Sequence, residues 1–596
     1  MLGTEGDITR NLNTRNEILS MMAGAGEGEG FSSVATTNDL TARIKKGLRG
    51  LKKVAYLSLA DREWEHYNGI RLCFRKVNFK APQVMGLVIS IPEELLGLST
   101  PVSGEEVFYE DFLLRSITPK MREYADSLIN ANQEVNKRGE IYLQSFDSRV
   151  ARRSGMLYED GFYRFRILVR LPLQGLEFTE PKSCIRLLKG ILQTVTEWAE
   201  HQSLDGFNDG LTLYREQQEI RRFLSENGYS CFVGNGSIIT RDEAGNGPLK
   251  EAIPFLSPAA DQITIPLSGG HRVTGMAIRN HTVTVITGGG YSGKSTLLDG
   301  IESGIYDHIR GDGREYILTD RTALKTYAED GRPVNRLNLS PFFRDNFLDQ
   351  HIEEFYTDYA SGSVSQAANI VEALYAGSRL LLVDEDKSAT NFLLKDALMR
   401  KINPNDPIIP FTDRIRELTD TKGCSVIMVV GAVSAYFAYA DTILLAEKFT
   451  FSDVTGIVPK EQAERSRSVW CEKRYCVRDG NPMDMMFRTV NTENAQMIYV
   501  GRNSADVLAL SAIISNDQLN SLAYAMERLL SRGETFEIAE AASEIVSELL
   551  KEDLRPATSF DRMTASVHRF FEEVRPIDIV CALSRMRGVE ILGLKE

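Results

Sequence analysis

Residues 283–306, VTVITGGGYSGKSTLLDGIESGIY, decide the fold. VTVIT is an unbroken β-branched and apolar run, which predicts a buried strand. GGGYSGKS, residues 288–295, follows at once and fits G-x-x-x-x-G-K-[ST] without exception. The glycines let the backbone wrap so that successive N–H groups face phosphate oxygens. Lys294 brings a compact positive charge to the β and γ phosphates, and Ser295 a hydroxyl for Mg²⁺. The apolar helix TLLDGIESGIY presents its positive dipole end to the same point. Nucleotide contacts are therefore expected from Gly288, Gly289, Gly290, Tyr291, Ser292, Gly293, Lys294, Ser295 and Thr296.

A phosphate loop alone leaves several nucleotide chemistries open, and the segment downstream narrows them. LLLVDE, 380–385, is an apolar strand that carries two acids to its end, where ligands sit in doubly wound sheets. Asp384 is placed to orient Mg²⁺ through water, and Glu385 to act as general base toward the attacking water. Before it, ASGSVSQAANIVEAL, 360–374, is similar to the signature LSGGQ and following helix of ABC (ATP-binding cassette) proteins. Ser361 and Gly362 match the Ser-Gly pair, while Ser363 and Val364 depart from it and Gln366 takes the next polar position. A serine, a glycine backbone and a helix N-terminus form a second anion site. In the ABC arrangement that site closes on the γ-phosphate of another subunit, and a plain Ser-capped helix is the alternative for this piece alone. SATN, 388–391, stands at the SALD loop of that class, with Asn391 for Asp. Ala432 stands in the slot of the histidine that meets the γ-phosphate, and Asn338 and Ser340 are the candidates for the usual glutamine. No tyrosine upstream of the loop is evident for stacking on adenine.

Together these departures resemble one family, the predicted ATPases of the ABC class that stand apart from transporters. The resemblance rests on GGGYSGKSTLL (288–298), GDGREYILTD (311–320), AEDGR (328–332), ASGSVSQAANI (360–370), DEDKSATNF (384–392) and PIIPFTDRIREL (407–418), and more weakly on FVGNGSIITR (232–241) and IVCALSRMRG (579–588). Lys387 departs from the family's usual Thr. The resemblance implies ATP and Mg²⁺ as cofactors, a homodimer joined through the nucleotide sites, and an N-terminal domain, a cassette and a helical C-terminal domain. A kinetoplastid branch is associated with mitochondrial RNA editing, which by analogy implies the mitochondrial matrix, with cytoplasm the alternative, and membership of a larger ribonucleoprotein assembly.

The expected architecture is an α/β P-loop NTPase of ABC type between an α+β N-terminal domain and a mainly helical C-terminal domain. We place a flexible arm at 1–40, where GAGEGEG occurs, the N-terminal domain at 41–255, the ATPase core at 256–450 and the C-terminal domain at 451–596. The net charge is −13, and seven cysteines without zinc-type spacing fit a reduced intracellular setting. MLGTEGDITRNLNTRNEIL lacks a secretory apolar core and is poor as a mitochondrial presequence. Residues 423–440, GCSVIMVVGAVSAYFAYA, are uncharged, but Gly431 splits them and SVIMVV reads as a strand, so no membrane anchor is expected.

Residues 41–80 hold eleven Lys or Arg against three acids in this acidic chain, interleaved with Tyr56, Trp64, Tyr67, Phe74 and Phe79. RVARRSGMLYEDGFYRFR, 149–166, is a second basic and aromatic stretch. Lys45, Lys46, Arg49, Lys52, Lys53, Arg75, Lys76, Arg152 and Arg153 are accordingly candidate nucleic-acid contacts, suited to single-stranded RNA. No RNA-binding motif is matched, and a solvated basic face over core aromatics is the competing reading. Three functions follow: an ATP-driven remodeller of RNA, an ATP-gated scaffold with little turnover, or an energising subunit for separate membrane proteins. The connection from Lys294 to Ser361 is short for the last.

Overall fold

The computed structural model describes residues 35–46, 62–74, 84–131, 134, 138–174, 177–178, 181–243, 245, 247–344, 351–458, 468, 470, 473–477, 490–493, 496–551 and 570–594. The N-terminal part is a six-stranded antiparallel sheet. Its spine is the nine-residue pairing of Val84–Pro92 with Phe162–Arg170. Alternation along FYRFRILVR sends Tyr163, Phe165 and Ile167 inward, where they meet Leu113 and Ile117 of the helix Glu106–Ala131 and Leu187, Ile191 and Val195 of the helix Pro181–His201. Trp64 and Phe74 lie in this core, whereas Tyr67 is exposed. Residues 1–34, with most of the expected arm, lie outside the described residues; the chain is already helical from Thr37, so the arm's limit at 40 falls inside a helix that buries Leu40 and Ile44.

Two larger sheets build the cassette among the described residues. One is antiparallel, in the order Gln262–Pro266, Arg272–Arg279, Tyr229–Gly234, Ile317–Thr319. The other orders the parallel strands Leu324–Thr326, Leu380–Asp384, Ser425–Val429, Val283–Thr287 and Thr442–Glu447, with Thr450–Asp453 antiparallel at the edge. Its central strands are apolar on both faces because helices cover both. Ile286, Leu382 and Val429 pack on Leu297, Leu298 and Ile301 of the phosphate-loop helix. The uncharged stretch at 423–440 becomes the strand Ser425–Val429, a corner and a short 3₁₀ turn, and no described helix is long and apolar enough to cross a membrane.

The boundary expected at 255 is corrected. Tyr229–Gly234 lies inside the cassette's antiparallel sheet, and the helix Phe207–Asn227 belongs with it through Arg221, which donates to Asp307 and to the carbonyls of Gly304, Tyr306 and Thr319. Local pattern cannot reveal the distant partners that place these elements, Arg272–Arg279 and Ile317–Thr319 for the strand and Asp307 for the helix.

The C-terminal part contains the helices Asn516–Leu530, Ile538–Lys551 and Pro576–Ser584. A capping box at Ser515 and Gln518 fixes the first. Two three-stranded sheets, which sequence alone did not indicate, stand beside them. Leu522, Met526, Leu529, Ile579 and Leu583 share one continuous core with Val364, Ile370, Phe342 and Phe411 of the cassette, so this part is fused to the side that carries the helix Gly362–Tyr375.

Candidate functional site

The parallel strands all end at one edge, and their continuations assemble the site. Gly288 follows Val283–Thr287, Tyr327 follows Leu324–Thr326, Asp384 ends its own strand, Gly431 lies just past Ser425–Val429, and Lys448–Phe449 turn the last strand back.

Positive φ angles shape the phosphate loop. Gly288 and Gly293 hold φ of 143° and 101°, which L side chains rarely adopt. A Cβ at Gly288 would lie 2.2 Å from the Ala446 carbonyl oxygen, and one at Gly293 2.7 Å from Phe449 Cδ1. Tyr291 also has positive φ, 56°, and its side chain is fully exposed at the tip. Lys294 Nζ donates to the carbonyls of Gly288, 2.8 Å, and Gly289, 2.6 Å, so the ammonium lies back along the loop. Ser295 and Thr296 are half-buried in the first turn of the helix Lys294–Ser303. Ser292 is buried, and its carbonyl accepts from the amide of Phe449 at 2.8 Å.

Asp384 is buried and its Oδ1 accepts from the amide of Asp386 at 3.1 Å. Glu385 Oε2 accepts from the amides of Gly431, 2.6 Å, and Ala432, 3.1 Å. The corner where the histidine was missed therefore meets the candidate base through its backbone. Ser295 and Asp384 supply oxygen donors of the type Mg²⁺ takes; among the described residues no His, Cys, Asp or Glu cluster forms a self-sufficient metal site.

Ser361 caps the helix Gly362–Tyr375 without a side-chain bond to it, exposed at the front of that helix. Two expected nucleotide contacts are corrected. Gln366 is fully buried, donating to Ser388 Oγ at 2.7 Å and accepting from the amide of Ala389 at 2.9 Å. Ser363 is buried and donates to Asn391 Oδ1 at 2.8 Å. Both side chains fasten the signature to the SATN loop of the same chain, while Ser361 stays exposed.

Asn338 and Ser340 are the candidates for the glutamine slot. Those two lie beyond the strand Val334–Leu337, in a turn packed under Ile352 and Ile408. Since Thr326 pairs with Val383, the chain just after it, Tyr327 to Asp330, runs beside Asp384. AEDGR carried the signal, but LKT was too short and too polar to read as a buried strand: Lys325 is buried there only because Asp299 and Glu302 neutralise it.

The nucleic-acid candidates divide. Arg49, Lys52, Lys53, Arg75 and Lys76 lie outside the described residues; Lys45 and Lys46 end the helix Thr37–Lys46, their side chains undescribed. Arg153 is corrected: only 1% exposed, it binds Asp111, Asp147 and Glu572. Arg152 is paired with buried Glu110 at 3.6 Å. The run reads as basic in sequence because its acids come from elsewhere in the chain.

Comparison with known proteins gives two family matches. The P-loop domain of the ABC ATPase family matches residues 204–476, which agrees with the corrected boundary, and the MRB1590 C-terminal domain matches residues 489–592. The uncharacterized protein MJ1628 of Methanocaldococcus jannaschii is 30% identical over 232 residues, 37% of this chain and 51% of that protein. The chain thus spans about half the length of that relative. Among solved structures, cbiO1 from Clostridium perfringens, part of the ABC transporter complex cbiONQ, has 16% identity and a TM-score of 0.23, covering 38% of this chain and 87% of its own. MJ1267, an ATP-binding cassette of an ABC transporter in its ADP conformation, has 13% identity and a TM-score of 0.23, covering 37% and 89%.

Proposed function

Because this chain carries the ABC ATPase P-loop domain joined to an MRB1590-type C-terminal domain, and so belongs to the ABC class, we propose that it hydrolyses ATP between two copies of its cassette arranged head to tail. The observation that carries this reading is the convergence at one sheet edge of the phosphate loop, Asp384 and Glu385, with exposed Ser361 free to cap a partner's nucleotide.

Lys294 Nζ donates to two loop carbonyls; triphosphate oxygens draw it away, because a full anionic charge outcompetes a carbonyl dipole. The loop amides then hold the β and γ phosphates, and the dipole of the helix Lys294–Ser303 adds to them. Ser295 and Asp384 would hold Mg²⁺, which would supply charge neutralisation at the phosphates. Glu385 takes the proton of the attacking water, its carboxylate steadied by the amides of Gly431 and Ala432. With Ala432 in the histidine slot, either another group meets the γ-phosphate or turnover is slow, and the latter favours, as a second reading, an ATP-gated scaffold.

Turnover is coupled to RNA, gripped by the N-terminal domain through Lys45, Lys46, Arg49, Lys52, Lys53, Arg75 and Lys76. The basic, aromatic composition of 41–80 and the resemblance to the branch linked with mitochondrial RNA editing support this. The resemblance alone suggests the mitochondrial matrix rather than the cytoplasm, and a place in a larger ribonucleoprotein assembly. The test is steady-state phosphate release by the purified protein with RNA, with DNA and in buffer alone. Stimulation by RNA above the other two supports the coupling; equal rates in all three remove it. Binding of single-stranded RNA across a salt titration, with Lys45, Lys46, Lys52 and Lys53 replaced by Ala, locates the grip by a flattened salt slope.

A further inference from the structure

A buried cluster of charge joins the C-terminal domain to both halves of the proposed site. Arg585, just past the helix Pro576–Ser584, donates through Nε and Nη2 to the two carboxylate oxygens of Glu329, at 3.1 and 2.5 Å, and through Nη2 to Asn369 Oδ1 at 2.9 Å. Glu329 belongs to the segment beside Asp384, and Asn369 to the signature helix. Asn369 Nδ2 closes the triangle on the Tyr327 carbonyl, 2.8 Å, and Glu329 Oε1, 2.7 Å. Behind it Glu372 accepts twice from Arg332 at 2.9 Å and lies 3.7 Å from Arg474. Burial alone would raise the Glu329 carboxyl, but Arg585 and then Arg332 hold it below its usual range.

The connection continues to the cap. The Glu329 amide donates to Ser365 Oγ at 2.8 Å, and that hydroxyl donates to the Gly362 carbonyl at 2.9 Å. Asp330 and Ala328 press on Gly362 so closely that a Cβ there would meet them at 3.2 and 3.3 Å. The same guanidinium thus fixes the segment flanking the chain's own Asp384 and the Ser361–Gly362 turn offered to a partner.

We propose that Arg585 is a positioning residue through which the C-terminal domain sets the cap that each copy offers the other's nucleotide. This rests on the head-to-tail reading. A salt pair of this depth is not needed for stability as such, since apolar packing serves as well; its use is to hold two elements in one register.

The experiment compares wild type, Arg585→Gln, Arg585→Lys and Ser365→Ala, the last leaving every buried charge in place should Arg585→Gln fail to fold. Mg-ATP affinity is measured on the monomer, kcat at saturating ATP, and ATP-driven dimerisation in the Glu385→Gln background. Arg585→Gln is expected to leave ATP affinity within threefold, cut kcat at least tenfold and weaken dimerisation by a similar factor. Lys should restore part of both, and Ser365→Ala should show the same pattern at about threefold. A merely structural role would move ATP affinity together with the rest. If Glu385→Gln forms ATP-bound dimers and adding Arg585→Gln or Ser365→Ala leaves them and kcat within twofold, this inference is overturned alone. If Glu385→Gln with Arg585 intact stays monomeric in ATP, the head-to-tail reading falls and takes this inference with it.

Discussion

Replacing Gly293 with Ala tests whether the phosphate loop is held by its neighbour turn as well as by its own glycines. Two costs add. At φ of 101° a side chain is strained by about 1–3 kcal/mol. The new Cβ would also stand 2.7 Å from Phe449 Cδ1 and 3.3 Å from its Cα, and overpacking of this kind costs about 1–3 kcal/mol. Phe449 cannot simply step aside, because it lies in a two-residue turn at φ of 62° whose amide is bonded to Ser292. A total near 4 kcal/mol corresponds to a loss of several hundredfold in affinity, at about 1.4 kcal/mol per factor of ten. The assay is Mg-ATP binding by titration calorimetry, with circular dichroism to establish that the fold persists. Adding Phe449→Ala should return about tenfold, leaving the backbone strain. Gly293→Ala binding within fivefold of wild type would refute the argument, and no recovery with Phe449→Ala would remove the ring from it.

Lys294→Ala should abolish measurable ATP retention, and undiminished affinity by the same calorimetry would count against the loop assignment. Glu385→Gln keeps an acceptor for the Gly431 and Ala432 amides but no base, so kcat should fall about 10²–10⁴-fold while ATP-bound protein accumulates on a sizing column; wild-type turnover would exclude the role. Arg153→Ala should destabilise the protein by about 1–3 kcal/mol in denaturant unfolding, since it removes one buried charged partner from Asp111 and Glu572, which keep Arg115 and Arg149, and should leave RNA affinity unaltered at temperatures where it folds. Burial raises the Asp517 carboxyl from 3.8 to about 6. The folded state then keeps a proton that the unfolded chain has lost, so stability falls as pH rises from about 4 to about 6, by up to about 3 kcal/mol. Asp517→Asn should flatten that part of the stability curve, and an unchanged slope would assign it to other groups.

What was legible in the sequence was contiguous. GGGYSGKS and LLLVDE announce themselves because phosphate and metal chemistry demand particular residues within one turn of chain, after strands apolar on both faces. What depended on distant partners stayed hidden. LKT carries a lysine into a buried strand, and only Asp299 and Glu302 make that tolerable. Arg153 looks like a phosphate ligand until Asp111, Asp147 and Glu572 close around it. Gln366 and Ser363 are polar residues in a nucleotide motif, yet their hydrogen bonds run inward to Ser388, Ala389 and Asn391, which the motif itself does not announce.

The seam where Arg149 and Arg153 meet Glu572 bears on how the protein is made. Beside it Ser154 exchanges hydrogen bonds with the backbone of Phe571, a residue 417 positions later in the chain. On a ribosome adding about 5–20 residues per second, that interval lasts roughly 20 to 80 seconds. Throughout it the nascent N-terminal sheet carries two guanidinium groups destined for the interior and not yet fully matched. A product released before Glu572 emerges never receives their shared counter-ion, so this seam closes only once that distant residue has been made.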